Sequence, residues 1–129
     1  MSDSRLIRKL AVIDKASIGM MNDSKFLSFS ISVGYESGTC QSIGNIALDT
    51  YSKVNERRVG TAYGCDMIIQ LLNTLNVCDI SEAQGRIIYI WGEGDGFSFN
   101  PKGIQSLWID GGKKLIFDEV LKQHKELLR

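Results

Sequence analysis

The chain of 129 residues has one histidine, one proline, three cysteines and no excess of either charge, because fifteen Lys and Arg balance fifteen Asp and Glu. The neutral balance removes the basic excess through which proteins hold long nucleic acids, whose affinity comes from many contacts to phosphate. It leaves room for a small anion held by a few clustered cations. No Cys-x-x-Cys occurs, and Cys40, Cys65 and Cys78 are odd in number and unpaired in spacing. With His124 as the only histidine they form neither a zinc motif nor a disulfide framework, so neither metal nor cofactor is expected. No apolar run approaches the roughly 18 residues of a membrane span. Arg5, Arg8 and Lys9 interrupt the N-terminal stretch where a signal peptide needs unbroken apolar residues. A cytoplasmic protein with reduced thiols and no membrane segment is expected.

With 43% hydrophobic and 23% charged residues the composition is that of an ordinary globular chain. At this length a single domain over residues 1–129 buries roughly two-thirds of its unfolded surface and folds without metal or disulfide. Leu27, Phe29, Ile31 and Val33 alternate with Ser28, Ser30 and Ser32, the period of a strand with one apolar and one small polar face. Lys9 to Ile18 supplies a partner strand through a turn at Met20 to Ser24, and a third strand spans Cys40 to Leu48 after a turn at Gly34 to Gly38, a meander. Ile68, Leu71, Leu72 and Leu75 then fall on one helical stripe, with Thr61 as N-cap, Asp66 near the positive end of the helix dipole and Asn76 as terminator. Strands follow at Arg86 to Trp91, Gly103 to Ile109 and Lys114 to Phe117, with a turn at Asp110 to Gly112. A last helix from Asp118 to Arg129 carries Phe117, Val120, Leu121, His124 and Leu128 on one face. The order predicts an α+β fold, a mostly antiparallel sheet (meander) with one central and one C-terminal helix.

Two segments carry chemistry. The polar loop before the central helix has adjacent Arg57 and Arg58, then Gly60 and Thr61, with Tyr63 and Gly64 in the first turn. A helix start exposes unpaired N–H groups and a partial positive charge; Gly60 and Gly64 would admit a phosphate close to the backbone, and a guanidinium would grip it. The plainer reading is a capped helix beside two solvated arginines, and no Lys-Ser/Thr follows the glycines as in a P-loop. The second segment runs from Gly92 to Lys102, where Phe97 or Phe99 can stack a base and Asn100 can read its edge, or the phenylalanines return to the core. Glu93 and Asp95 are too few oxygen ligands for calcium. Trp91 and Trp108 read as core or interface anchors, His124 as a partly buried, satisfied histidine and Cys65 as a packing residue. No set for nucleophilic catalysis is present.

The stretch Ala47-Leu48-Asp49-Thr50-Tyr51, the Arg57-to-Gly64 run and the aliphatic helix after it, within Ala47 to Val77, resemble the phage-encoded anti-Thoeris sponge family. Its members sequester cyclic ADP-ribose isomers made by bacterial Thoeris immunity. The resemblance implies a phage anti-defence protein of the bacterial host cytoplasm that is not an enzyme. It would bind a cyclic nucleotide signal without cleaving it, some relatives also taking cyclic oligonucleotides at a separate site. It further implies a homodimer or hexamer, with arginines, an aromatic platform and an asparagine around the ligand. Arg57 and Arg58 match the arginine loop, and Phe97 or Phe99 with Asn100 would supply the rest. A nanomolar trap requires about 12 kcal/mol of binding energy. The alternative is a protein-binding inhibitor of a bacterial defence system, like an anti-CRISPR protein, with no small ligand and with exposed aromatics and sheet edges as its contact; an accessory structural protein of a phage is a third.

Overall fold

The computed structural model describes residues 6–21, 25–94, 98–107 and 113–127. Strands β1 (Ile7–Met21), β2 (Phe26–Tyr35) and β3 (Cys40–Gly44) form the expected meander. A short hairpin, β4 (Asp49–Ser52) and β5 (Arg57–Gly60), leads into helix α1 (Ala62–Leu75). A 3-10 turn (Ile80–Ala83) precedes β6 (Ile87–Glu93), β7 (Asn100–Ser106) and β8 (Lys114–Ile116), and helix α2 is Phe117–Leu127. The main sheet runs β3-β2-β1-β6-β7-β8 with every neighbour antiparallel, and β4-β5 is a separate ribbon. The fold is α+β with a mostly antiparallel arrangement, one central helix and one C-terminal helix, as the periodicities require.

Alternation decides the core. Phe29, Ile31 and Val33 of β2, Ala11 and Ile13 of β1, Ile88 and Ile90 of β6, and Ile104 of β7 point to one face. There they meet Met67, Leu71 and Leu75 of α1 and Phe117 and Val120 of α2. The stripe of α1 thus centres on Met67 as well as the leucines, while Ile68 is only packed at its margin. Phe29 and Phe117 tilt against each other with ring centroids 5.4 Å apart, tying β2 to the start of α2. Gln41 Nε2 on β3 donates to the Phe99 carbonyl just before β7, 2.9 Å away, so the sheet curls until strands far apart in its order meet.

Several local expectations are corrected. The third strand ends at Gly44; residues 45–48 run beside β2 through the bonds Asn45 N to Phe29 O and Leu48 N to Leu27 O. That segment covers Ser28, which is fully buried and accepts the Ile46 amide. The polar loop carrying Arg57 and Arg58 is the β4–β5 hairpin, closed by Glu56 at φ 55°. β7 begins three residues earlier than Gly103, at Asn100. Trp108, Ile109, the turn at 110–112, Leu128 and Arg129 lie outside the described residues, as do Asn22 to Ser24 of the first turn.

Candidate functional site

The arginine hairpin and the start of α1 form a closed unit. Adjacent strand residues point to opposite sides, so Arg57 and Arg58 diverge. Arg58 turns onto Asp49, with Nη2 2.7 Å from Oδ1 and Nε 3.0 Å from Oδ2. Asp49 also accepts the Leu27 amide at 3.1 Å. Hydrogen bonds from Arg58 hold the Asp49 carboxyl below its ordinary value, so the pair is ionised and already satisfied. Arg57 is exposed and donates to the Arg58 carbonyl.

Thr61 caps α1 as expected, its Oγ1 accepting the Gly64 amide at 2.8 Å. The same hydroxyl donates to the Leu48 carbonyl at 2.7 Å. Gly64 is required here for a reason other than a phosphate: a Cβ would collide with the Leu48 carbonyl, so the missing side chain lets the helix press against the chain leaving β3. The space assigned to an anion at Gly64 is filled by the protein's own backbone. Gly60 is exposed and open. Tyr63 is half-buried, edge-on to His124 with ring centroids 5.8 Å apart. Asp66 lies past the first turn; it bonds His124 Nε2 at 2.9 Å and Gln70 at 3.0 Å. His124 is therefore the partly buried, satisfied histidine expected, joining α2 to α1. Cys65 is exposed and is not a packing residue.

In the second segment Phe97 lies outside the described residues. Phe99 is buried, edge-on to Tyr35 with centroids 6.1 Å apart and with Lys9 Nζ 4.4 Å from its ring centroid. Gly92 makes room for that ring, which a Cβ would strike. Phe99 is consequently a core residue with no free face for a base. Asn100 is exposed and lines a cleft of about 220 Å³ with Ser42, Gly44, Ile46, Lys102 and Phe117. That cleft includes none of Arg57, Arg58, Gly60, Thr61 and Tyr63. The predicted ligand groups divide: Arg58 binds beside Leu27 and Phe99 beside Tyr35, at opposite ends of β2.

A different surface stands out. The face of the sheet away from the helices carries Leu10 and Val12 of β1 opposite Tyr89 and Ile87 of β6, with Arg8 opposite Trp91. Leu10 is 39%, Val12 46% and Ile87 38% exposed. Arg8 Cζ lies 4.1 Å from the Tyr89 ring centroid, and Lys114 Nζ of β8 lies 3.9 Å from that of Trp91. Trp91 Nε1 donates to Gln105 at 2.9 Å, which fixes the indole. The signal was present in the strand Ile87-Ile88-Tyr89-Ile90-Trp91: residues of both parities are apolar, the mark of a strand covered on both faces, whereas this one is covered by helices on one.

Among the described residues no group of three or more metal-binding side chains converges, and no helix is long and apolar enough to cross a membrane. No protein-family model, curated protein or solved structure matches this chain.

Proposed function

We propose that the protein acts by occupying a protein partner, docking through the outer face of its sheet, without chemistry of its own. The observation that carries this is the row Leu10, Val12 and Ile87, exposed on adjacent strands beside Tyr89 and Trp91. Contiguous apolar surface facing water is costly, and where it persists beside Trp, Tyr and Arg it matches the centre of a protein interface. The face is broad and open, a shape suited to a macromolecule more than to a small ligand, which needs enclosure to bind tightly. The partner in this reading is a component of a bacterial defence system, met in the host cytoplasm.

Sequestration of a cyclic nucleotide finds less support. A diphosphate at the hairpin would have to displace the Asp49 carboxylate from Arg58, leaving Arg57 as the accessible guanidinium.

The test places a photo-crosslinking residue at Val12 in one variant and at Val54, exposed on the β4–β5 turn, in another, both expressed in bacterial cells carrying defence systems. A discrete protein adduct from Val12 and none from Val54 is expected. In parallel, cyclic ADP-ribose isomers should leave the melting temperature unchanged. A rise in melting temperature that Arg57→Ala abolishes, with no Val12 adduct, would overturn the docking reading in favour of a captured nucleotide.

A further inference from the structure

The outer face has a charge pattern of its own. Arg8 and Lys114 stand over Tyr89 and Trp91, and neither makes a salt bridge among the described residues. Both cations are exposed and held in place by rings, so they are ordered on the face. Glu93, two residues beyond Trp91, lines a cleft with Asp118 and Glu119 as well as Lys102 and Lys122. Asp14 sits at the β1 bulge next to Lys15, about 20 Å along the strand from Arg8. The aromatic end of the face thus presents two cations beside an acidic cleft, and its centre is apolar.

Beside Val12 the bulge between Ile13 and Lys15 opens a hollow of about 470 Å³, lined in part by Asp14 and by Ser32, Val33, Gly34, Gln84 and Gly85. Serine and glycine leave space where larger residues would fill it. The face therefore combines fixed cations, flat aliphatic surface and a hollow that receives a side chain.

Resting on the docking reading above, we propose that the outer face receives an acidic polypeptide segment carrying aliphatic side chains, its carboxylates on Arg8 and Lys114 and an aliphatic group in the hollow beside Val12. Charge complementarity selects this occupant. A second copy of the chain would bring the same two cations to the same face and meet them with like charge. A nucleic acid would use the cations but not Leu10, Val12 and Ile87, and the rings already carry cations on the faces a base would stack on.

The experiment uses the full chain and four fluorescent probes: a peptide alternating Glu and Leu, one alternating Lys and Leu, one alternating Glu and Ser, and an oligothymidine. Binding is read by anisotropy and mapped by amide chemical shifts. The Glu–Leu peptide is expected to bind best, to shift Leu10, Val12, Tyr89 and Trp91, and to weaken roughly tenfold in the Arg8→Ala/Lys114→Ala variant. Equal binding of the Lys–Leu peptide, or no effect of the double variant, overturns the acidic assignment while the docking reading stands. Preferential binding of the oligothymidine overturns it in favour of nucleic acid, and concentration-dependent shifts on the same face overturn it in favour of self-association. If no probe binds and the face gives no self-association, the docking reading falls with it.

Discussion

Arg58 and Asp49 face each other across the β4–β5 hairpin in a two-point grip, and the carboxylate is only 6% exposed. Strand pairing sets this contact, since Asp49 pairs with Gly60 and Arg58 with Tyr51, two rungs apart and therefore on the same side of the ribbon. The hairpin is thereby pinned to β2, because Asp49 also takes the Leu27 amide. An arginine expected to hold a ligand instead holds the fold.

The pair makes stability depend on acid. Arg58 keeps the Asp49 carboxyl below the ordinary value of 3.8, and His124 does the same for Asp66. The unfolded chain takes up these protons at the higher, ordinary value. The folded state is therefore favoured above that pH, and the advantage is lost as pH falls through the lower folded values. Urea midpoints measured from pH 6 down to pH 2 should fall steeply below about 4. Arg58→Ala should have a lower midpoint at pH 6 and a shallower acid limb, and a parallel acid limb would refute the assignment to this pair.

Thr61 and Gly64 set two effects against each other. Thr61→Ala removes the cap and the bond to Leu48, and should cost about 1 kcal/mol in urea unfolding, with Thr61→Ser largely restoring it. Gly64→Ala ought to gain up to about 1 kcal/mol by helix propensity alone. The collision with the Leu48 carbonyl opposes that gain, and displacing packed backbone costs about 1–3 kcal/mol. A net loss is expected; a stabilised Gly64→Ala would show that the helix does not press on Leu48.

Much of this architecture was legible. The serine alternation of β2, the α1 stripe and its two caps Thr61 and Asn76 depend on local spacing, which sequence displays directly. The β4–β5 hairpin was hidden because its strands are four residues each and its turn uses Glu56 in a left-handed conformation in place of glycine or asparagine. Missing that hairpin meant missing that Asp49 would meet Arg58. Phe99 was ambiguous for a different reason: its burial depends on the curl that brings β3 to β7 and on the gap at Gly92, both of them long-range.

Tyr35 gives an alkaline counterpart to the acid limb. Burial pushes its phenol up to about 12, and its hydroxyl donates to Gln41 at 2.6 Å. Because the unfolded phenol ionises near 10 while the folded one resists, folding is penalised as pH rises through that interval. Absorbance titration should show a tyrosine ionising late, near pH 12. Tyr35→Phe should remove that late step and soften the alkaline loss of stability.

Val12 and Ile13 are neighbours on β1 that face opposite sides, one 46% exposed and the other fully buried. Ile13→Ala should cost about 2–5 kcal/mol, because it empties a packed site beneath the helices. Val12→Ser should stay within about 0.5 kcal/mol, since its side chain faces water. If stability alone governed these positions, Val12 would be free to be polar. A partner that docks on this face makes the opposite demand: Val12→Ser should fold as the parent does in circular dichroism and denaturation yet weaken the adduct formed from a crosslinking residue placed at Leu10, whereas a comparable loss of stability at both positions would mean that the outer face is packed within the folded protein and not available to another molecule.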